Sequence, residues 1–259
     1  MAKRNKPSRT RARAQRQQRK ELAQIDAMER KLERSAMPKI RRELNIIGRD
    51  ATTAYTRSGE FEAHRVIDNG KAAISDVLER VYQSTIKKTE KLLKDLYKDD
   101  KKKIEQVRRE LERNFKKQAQ KAADQIAEST KRQVTKVNEK AYNDNLSSTE
   151  AEKILKNKIA VNGRRAQLIS EVEIGSVTAE GRDKLSRKKY KKDVRKVWVT
   201  TRDSKVRDPH QHAEGQEVGI NENFVIRGKR TERIPYPRHR SASTWNRCNC
   251  RCRVAYINP

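Results

Sequence analysis

Long apolar runs are missing from this chain of 259 residues. No stretch approaches the ~18 consecutive apolar residues of a membrane-spanning helix, and the basic N-terminus has no apolar segment of the kind that a signal peptide carries. The sequence therefore disfavours secretion and membrane spanning, and we expect no membrane partner.

Apolar residues, aromatic residues and cysteines are also scarce. Hydrophobic residues make up 33% of the chain and aromatic residues 5%, against 38% charged residues. Such a chain buries a smaller core than its length would normally allow, which disfavours a compact globular enzyme. The three cysteines, Cys248, Cys250 and Cys252, are too few and too close together for a disulfide framework. They indicate a reducing compartment and a local metal or thiol role.

Acidic residues are outnumbered, with 35 against 64 lysines and arginines, for a formal net charge of +29. Residues 1–20 carry nine basic and no acidic residues, and residues 182–259 carry 21 basic and eight acidic residues. The region between these two ends is nearly balanced. This distribution predicts two surfaces that face a polyanion, and double-stranded DNA is the obvious one.

We interpret residues 1–22 as a disordered basic arm. Residues 1–20 contain no aromatic residue, so the arm is expected to bind phosphates independently of base sequence, and salt should weaken that binding. A solvated tail that only aids solubility is the alternative. The predicted phosphate-binding residues of the arm are Lys3, Arg4, Lys6, Arg9, Arg11, Arg13, Arg16, Arg19 and Lys20.

The middle of the chain lacks helix breakers, because residues 71–162 contain no proline and no glycine. We assign residues 23–162 to an elongated helical region. Two apolar stripes run through it at helical spacing, and a polar patch at residues 98–101 separates them. We favour a hairpin at this patch over one very long helix. The stripes are Ile74, Leu78, Val81, Thr85, Lys88, Leu92 and Leu96, and then Ile104, Val107, Leu111, Phe115, Ala119, Ala122, Ile126, Thr130, Val134, Val137 and Ala141.

Further helices are predicted on both sides of this pair. Pro38 is expected to divide a helix over 21–36 from a helix over 39–56. Ser147 and Glu150 have the spacing of a capping box before a helix that reaches about Ala160, and another helix follows over 164–180.

The character of the sequence changes after Lys192. Residues 194–201, 224–226 and 251–257 have strand composition, with loops between them. The fold class is therefore mainly α: long amphipathic helices, as a helical hairpin or bundle, followed by a small α+β module over residues 163–259. This module is too poor in apolar residues to be well stabilised by burial alone.

Side chains with metal-ligand chemistry lie in this module. His210 and His212 follow Asp208, and the three cysteines lie near the end of the chain. Cys250 and Cys252 would share one face of a strand, so they could meet an imidazole at a tetrahedral zinc site. The alternative is that the thiols pack as small buried hydrophobes and that His210 is a hydrogen-bonded residue of the core or a loop.

His210, Cys250 and Cys252 belong to a longer set of residues: Trp198, Asp203, Val206, Arg207, His210, Gly215, Phe224, Pro235, Asn249, Cys250, Arg251 and Cys252. Their order and spacing over about 60 residues are similar to the signature of phage head morphogenesis proteins, the Mu F-like minor capsid proteins of tailed bacteriophages. The resemblance covers roughly residues 164–257. One departure is at Glu171 and Val172, which stand where the family usually has Arg and Thr. Two more are the short and very basic stretch between Phe224 and the cysteines, and the additional thiol of Cys248.

The resemblance has implications for these residues. It favours one structural zinc ion held by His210, Cys250 and Cys252, with Asp203 as a candidate fourth ligand. We expect Asp203 and Arg207 to form a charge-assisted pair across a turn. Trp198, Arg207 and Gly215 are interpreted as structural, with Gly215 in a backbone conformation that side chains forbid. The basic stretch with Arg238 and Arg240 is a candidate local DNA contact.

The resemblance implies a protein without catalytic activity that acts in head assembly or genome delivery. It would lie inside the capsid, after assembly in the host cytoplasm, in contact with the portal protein or the major capsid protein and with DNA. The oligomeric state is left open. One alternative is a metal-dependent nuclease built on Asp203, Arg207, His210 and His212. A host nucleoid or RNA-binding protein is the other.

Overall fold

The computed structural model describes residues 9–159, 163–190, 194–228 and 230–257. Within these ranges there are eight α-helices and five short strands, which confirms the predicted fold class. No helix among the described residues combines the length and the apolar character needed to cross a bilayer. The helices are α1 (Arg9–Ser58), α2 (Glu60–Asn69), α3 (Lys71–Leu96), α4 (Lys101–Asn143), α5 (Ser148–Ile159), α6 (Gly163–Lys189), α7 (Asp208–Ala213) and α8 (Thr244–Arg247). The strands are β1 (Arg195–Val199), β2 (Glu217–Gly219), β3 (Phe224–Arg227), β4 (Thr231–Ile234) and β5 (Arg253–Ile257).

The chain folds into two compact units that are each assembled from separate segments. The first consists of the described parts of residues 1–31, 88–107 and 178–259, and the second consists of residues 32–87 and the described parts of 108–177. The composition of the sequence suggests three consecutive regions instead.

Helix α1 differs from the prediction in two respects. It begins at Arg9, so residues 9–22 are helical and the expected disordered arm is wrong for them; residues 1–8 lie outside the described residues. Arginine, glutamine, alanine and leucine dominate this stretch, and all are good helix formers. Pro38 lies inside the helix and does not divide it. A proline removes one backbone hydrogen bond, and burial of Ala36 and Ile40 on either side holds the two halves in one helix.

In its described residues, the second unit is built from helices alone. Contacts between α2 and α4, and between the end of α1 and α4, run in opposite directions along the chain: Tyr55 donates to Asn138 at 3.0 Å, and Lys131 lies 3.1 Å from Asp68. Lys71 at the start of α3 lies 3.8 Å from Asp124 of α4, and the 3₁₀ turn Lys98–Asp100 joins the two helices, which confirms the predicted hairpin. The second apolar stripe is buried from Ile104 to Val137, as its spacing predicts.

The remaining helices follow from local signals. Ser147 and Glu150 form the predicted capping box: the Ser147 amide donates to the Glu150 carboxylate at 2.9 Å, and the Glu150 amide donates to Ser147 Oγ at 3.3 Å. Helix α6 continues to Lys189, well beyond the predicted end at residue 180. Arg165 fastens its beginning to α4 by donating to the Ile126 carbonyl at 3.1 Å and to the Thr130 hydroxyl at 2.8 Å.

The first unit contains both sheets. Strand β1 is the centre of an antiparallel sheet in the order β2-β1-β5, and β3 pairs with β4 in a second sheet. The register places Trp198 opposite Val254. Because alternate residues of a strand share a face, Lys196 and Trp198 of β1 both point into the core. Strands β2 and β4 were not predicted, because each is short and mostly polar.

Candidate metal centre

Two parts of the first unit bring together the predicted zinc ligands. Helix α7 carries His210, and the extended segment before β5 carries Cys250 and Cys252. All three residues are buried, with 2%, 7% and 3% of their surfaces exposed. Their ligand atoms lie within 4.8 Å of one another. His210 Nδ1 is 3.7 Å from Cys250 Sγ and 3.4 Å from Cys252 Sγ.

Neighbouring side chains hold the imidazole in place. Its Nε2 is 3.1 Å from Oδ1 of Asn246, a buried residue of α8. With Nε2 engaged in this way, Nδ1 faces the two sulfur atoms. The ring of Trp198 stands edge-on to that of His210, with centroids 5.5 Å apart. Asn246 thus orients the histidine as an outer-shell partner orients a metal ligand.

The hydrogen bond between the two thiols shifts their pKa values in opposite directions. It lowers the pKa of Cys250 well below its ordinary value, and burial opposes that effect. The same bond raises the pKa of Cys252, and burial raises it further. Thiolate is the form of cysteine that binds metals, so the lowered pKa of Cys250 favours a metal-binding role.

The cluster supplies three of the four ligands of a tetrahedral zinc site. One imidazole nitrogen and two sulfurs are ordinary zinc ligands, and typical zinc–ligand distances place a tetrahedral nitrogen–sulfur pair roughly 3.5 Å apart. The indole N–H of Trp198 is buried without a hydrogen-bond partner among the described residues, yet it is close enough to lower the pKa of Cys252. An indole donor beside a sulfur suits a thiolate.

Asp203 is not part of this cluster, so its assignment as a fourth ligand is corrected. Its carboxylate is bound by Arg251 at 2.6 and 2.7 Å, which helps to lower the pKa of Asp203 to about 2. Among the described residues, the cluster consists of His210, Cys250 and Cys252 alone. His212 is exposed and Cys248 is half-buried.

The expected pair between Asp203 and Arg207 is also corrected. Arg207 donates to the carbonyl of Cys248 at 2.9 Å, and its guanidinium lies 5.6 Å from the centre of the exposed Trp245 ring. It therefore supports the loop that leads into the cysteines. Gly215 has a φ of +75°, where a side chain would be strained, and its amide donates to the Trp198 carbonyl at 2.9 Å.

The predicted DNA-binding residues have different surroundings. Arg238 is 4% exposed and lies 3.1 Å from Glu29, so it is not available to DNA, and that assignment is wrong. Arg240 is half-buried. Arg19 and Lys20 are exposed on α1. Lys3, Arg4 and Lys6 lie outside the described residues, and for Arg9, Arg11, Arg13 and Arg16 only the helical backbone is described.

Sequence reasoning missed Lys196, which lies near the ring of Phe224, a neighbour of Trp198. It is 0% exposed, donates to the Pro235 carbonyl at 2.8 Å and lies 5.4 Å from the centre of the Phe224 ring. Burial lowers its pKa to about 8. Its alternation with Trp198 on β1 was the available signal, but a lysine is not normally assigned to a core.

Lys196 should make stability depend on pH above neutrality. Its pKa is lower in the folded state than its ordinary 10.5, so the folded state binds fewer protons between these two values. The free energy of unfolding should therefore rise as the pH increases from about 8 to 10.5. Relative to Lys196→Met, the wild type should gain roughly 3 kcal/mol over this range. Urea unfolding at several pH values measures the difference, and a constant difference would contradict this prediction.

Comparison with known proteins shows that the similarity of this chain to one protein family extends beyond the metal cluster. The model of a family described as phage Mu protein F like protein matches residues 73–255, which is more than half of the chain. The match includes α3 to α6 as well as the metal cluster, so it reaches further upstream than the resemblance found in the sequence. No curated protein and no solved structure matches the chain.

Proposed function

The chain belongs to the phage Mu protein F like family, and from this premise we propose that it is a minor capsid protein of a tailed bacteriophage. It acts in head morphogenesis, is packaged inside the head, and contacts the portal protein or the major capsid protein. It binds the packaged DNA without sequence preference and has no catalytic activity. The observation that carries the proposal is the family match across both the helices and the C-terminal strands.

The net charge supports the DNA contact. A protein with a formal charge of +29 is attracted to the phosphates of any duplex, and releasing the counterions of DNA drives such binding. This electrostatic attraction does not depend on the base sequence, so it can act anywhere along a packaged genome. It also means that the affinity should fall steeply with salt.

The buried cluster supports a structural role for the metal. We propose that His210, Cys250 and Cys252 hold one zinc ion, which supplies a cross-link between α7 and the segment before β5. A catalytic metal needs access for its substrate, whereas each of these three residues is at least 93% buried. The carboxylate on which a nuclease would depend, Asp203, is engaged by Arg251.

Composition of virions tests the proposed function. Virions of the phage that encodes the chain are purified on a density gradient, treated with nuclease and protease, and analysed by quantitative mass spectrometry. We expect a few protected copies per head, and fewer or none in heads that lack the portal. Virions without the protein would contradict the proposal. Recovery with the nucleoid of uninfected cells would instead support a host role.

A further inference from the structure

We propose that an arginine face in the middle of α1, formed by Arg41, Arg42 and Arg49, binds the phosphates of duplex DNA. This inference rests on the proposed function and locates its DNA contact on a surface that the charge distribution of the sequence did not indicate. The region outside the two basic ends is nearly neutral as a whole, but the helix segregates its charges.

The segregation follows from helical geometry. Leu32, Ala36, Ile40 and Leu44 are buried and repeat every four residues, so they form the packed side of α1. At 100° per residue, Arg42 and Arg49 lie opposite this side, and Arg41 lies on its flank, about 100° from Ile40. All three are exposed. The acidic residue within this span, Glu43, is half-buried and lies away from the arginine face.

The arginines line one shallow, open groove between side chains on the outer side of α1. Its walls are formed by Pro38, Arg41, Arg42, Asn45, Ile46 and Arg49. Asn45 is exposed between the arginines and adds an amide donor. From Arg41 to Arg49 the helix rises about 12 Å, the length of three to four nucleotides along one strand. Three guanidinium groups can therefore reach neighbouring phosphates.

The side chains of the groove favour phosphate over a protein partner. The planar guanidinium group matches phosphate oxygens with two parallel hydrogen bonds, which lysine cannot do. Protein interfaces depend on aromatic and large apolar anchors, and the apolar side chains that line the groove are the half-buried Ile46 and the exposed Pro38. Arg49 also lies 3.4 Å from Asp50, but both side chains are more than half exposed, so the pair is weak and does not prevent phosphate binding.

The test compares DNA binding by the full-length protein and two matched variants. The first is Arg41→Gln/Arg42→Gln/Arg49→Gln. The second is Arg113→Gln/Lys116→Gln/Lys117→Gln, which removes the same charge from exposed positions of α4. Fluorescence anisotropy with a short duplex of random sequence gives the affinity over a range of salt concentrations. Helix content measured by circular dichroism shows that both variants are folded.

We expect the α1 variant to bind on the order of tenfold to a hundredfold more weakly near 0.15 M salt. The slope of its log-log salt plot should become shallower by about 0.9 for each phosphate that the variant no longer neutralises. The α4 variant should bind less than about threefold more weakly. Replacing the same three arginines by lysine should keep most of the slope while weakening binding, because the charge remains and the bidentate geometry does not.

Two results would overturn the inference. One is a wild-type slope in the α1 variant, and the other is an equal decrease in affinity in both variants, which would mean that only net charge matters. A variant with unchanged DNA affinity that no longer enters heads would assign the groove to an acidic protein surface instead. Because the assay uses purified protein, virions that lack the protein would contradict the proposed function without affecting this result.

Discussion

Purified protein should contain one zinc ion per chain, and Cys250→Ser and Cys252→Ser should each abolish zinc binding. The reason is that both sulfurs lie within 3.7 Å of His210 Nδ1 in a buried site, where a serine hydroxyl is a poor substitute for a thiolate. Native mass spectrometry with elemental analysis measures the metal content. Cys248→Ser is the matched control, since Cys248 lies outside the cluster and the variant should keep its zinc.

Removal of the zinc should unfold the sheets of the first unit and leave the helices of the second unit folded. Structural zinc sites contribute on the order of 10 kcal/mol to the folding of small domains that have little core of their own. Trp198 lies against His210 and reports on the site, and Trp245→Phe would make its fluorescence the only tryptophan signal. A strong chelator should shift this signal while most of the far-ultraviolet circular dichroism remains.

The absence of zinc would give the cysteines a different role. A protein that contains no zinc and does not respond to the chelator would return the cysteines to a packing role. The family membership and the DNA contact would be unaffected, because neither depends on the metal.

The features that could be predicted from the sequence are those encoded locally. The stripe from Ile104 to Val137 is buried because its spacing matches the turn of a helix. The capping box at Ser147 and Glu150 is a contact over three residues. Three of the five strands are evident from their β-branched and aromatic residues. The signature that runs from Trp198 to Cys252 identifies the correct family, since it depends on the order and spacing of residues along the chain.

The errors concern contacts between distant parts of the chain. Arg238 and Glu29 are 209 residues apart, so no local pattern could remove Arg238 from the predicted DNA contacts. Asp203 has a metal-binding carboxylate, but Arg251, 48 residues later, engages it. Pro38 was expected to end a helix because its intrinsic effect is strong, and packing of the neighbouring apolar residues outweighs it.

Glu29→Ala should destabilise the first unit by about 3–5 kcal/mol, the usual effect of removing one partner from a buried ion pair. Glu29 is 3% exposed and its carboxylate lies 3.1 Å from Arg238 and 2.6 Å from Arg253. Without it, Arg238 remains in the same buried position and loses the carboxylate 3.1 Å away. Urea unfolding followed through Trp198 fluorescence, again with Trp245→Phe in the background, measures the decrease in stability.

An exposed ion pair of the same unit is the control. Asp203 and Arg251 are more than 40% exposed, so Asp203→Ala should destabilise the unit much less than Glu29→Ala despite the short distances. Similar effects of Glu29→Ala and Asp203→Ala would contradict the prediction, because burial would then make no difference.

The double variant Glu29→Leu/Arg238→Leu separates the cost of burying an arginine without the Glu29 carboxylate from the contribution of the pair. With both charges removed, the double variant should be much more stable than Glu29→Ala, since apolar side chains of similar size often replace a buried ion pair without destabilisation. Arg253 keeps a partner in Asp26 at 2.6 Å, so it is not left uncompensated. If the double variant were as unstable as Glu29→Ala, the pair itself would stabilise the packing of α1 against the sheet, and the desolvated arginine would not be the cause of the instability.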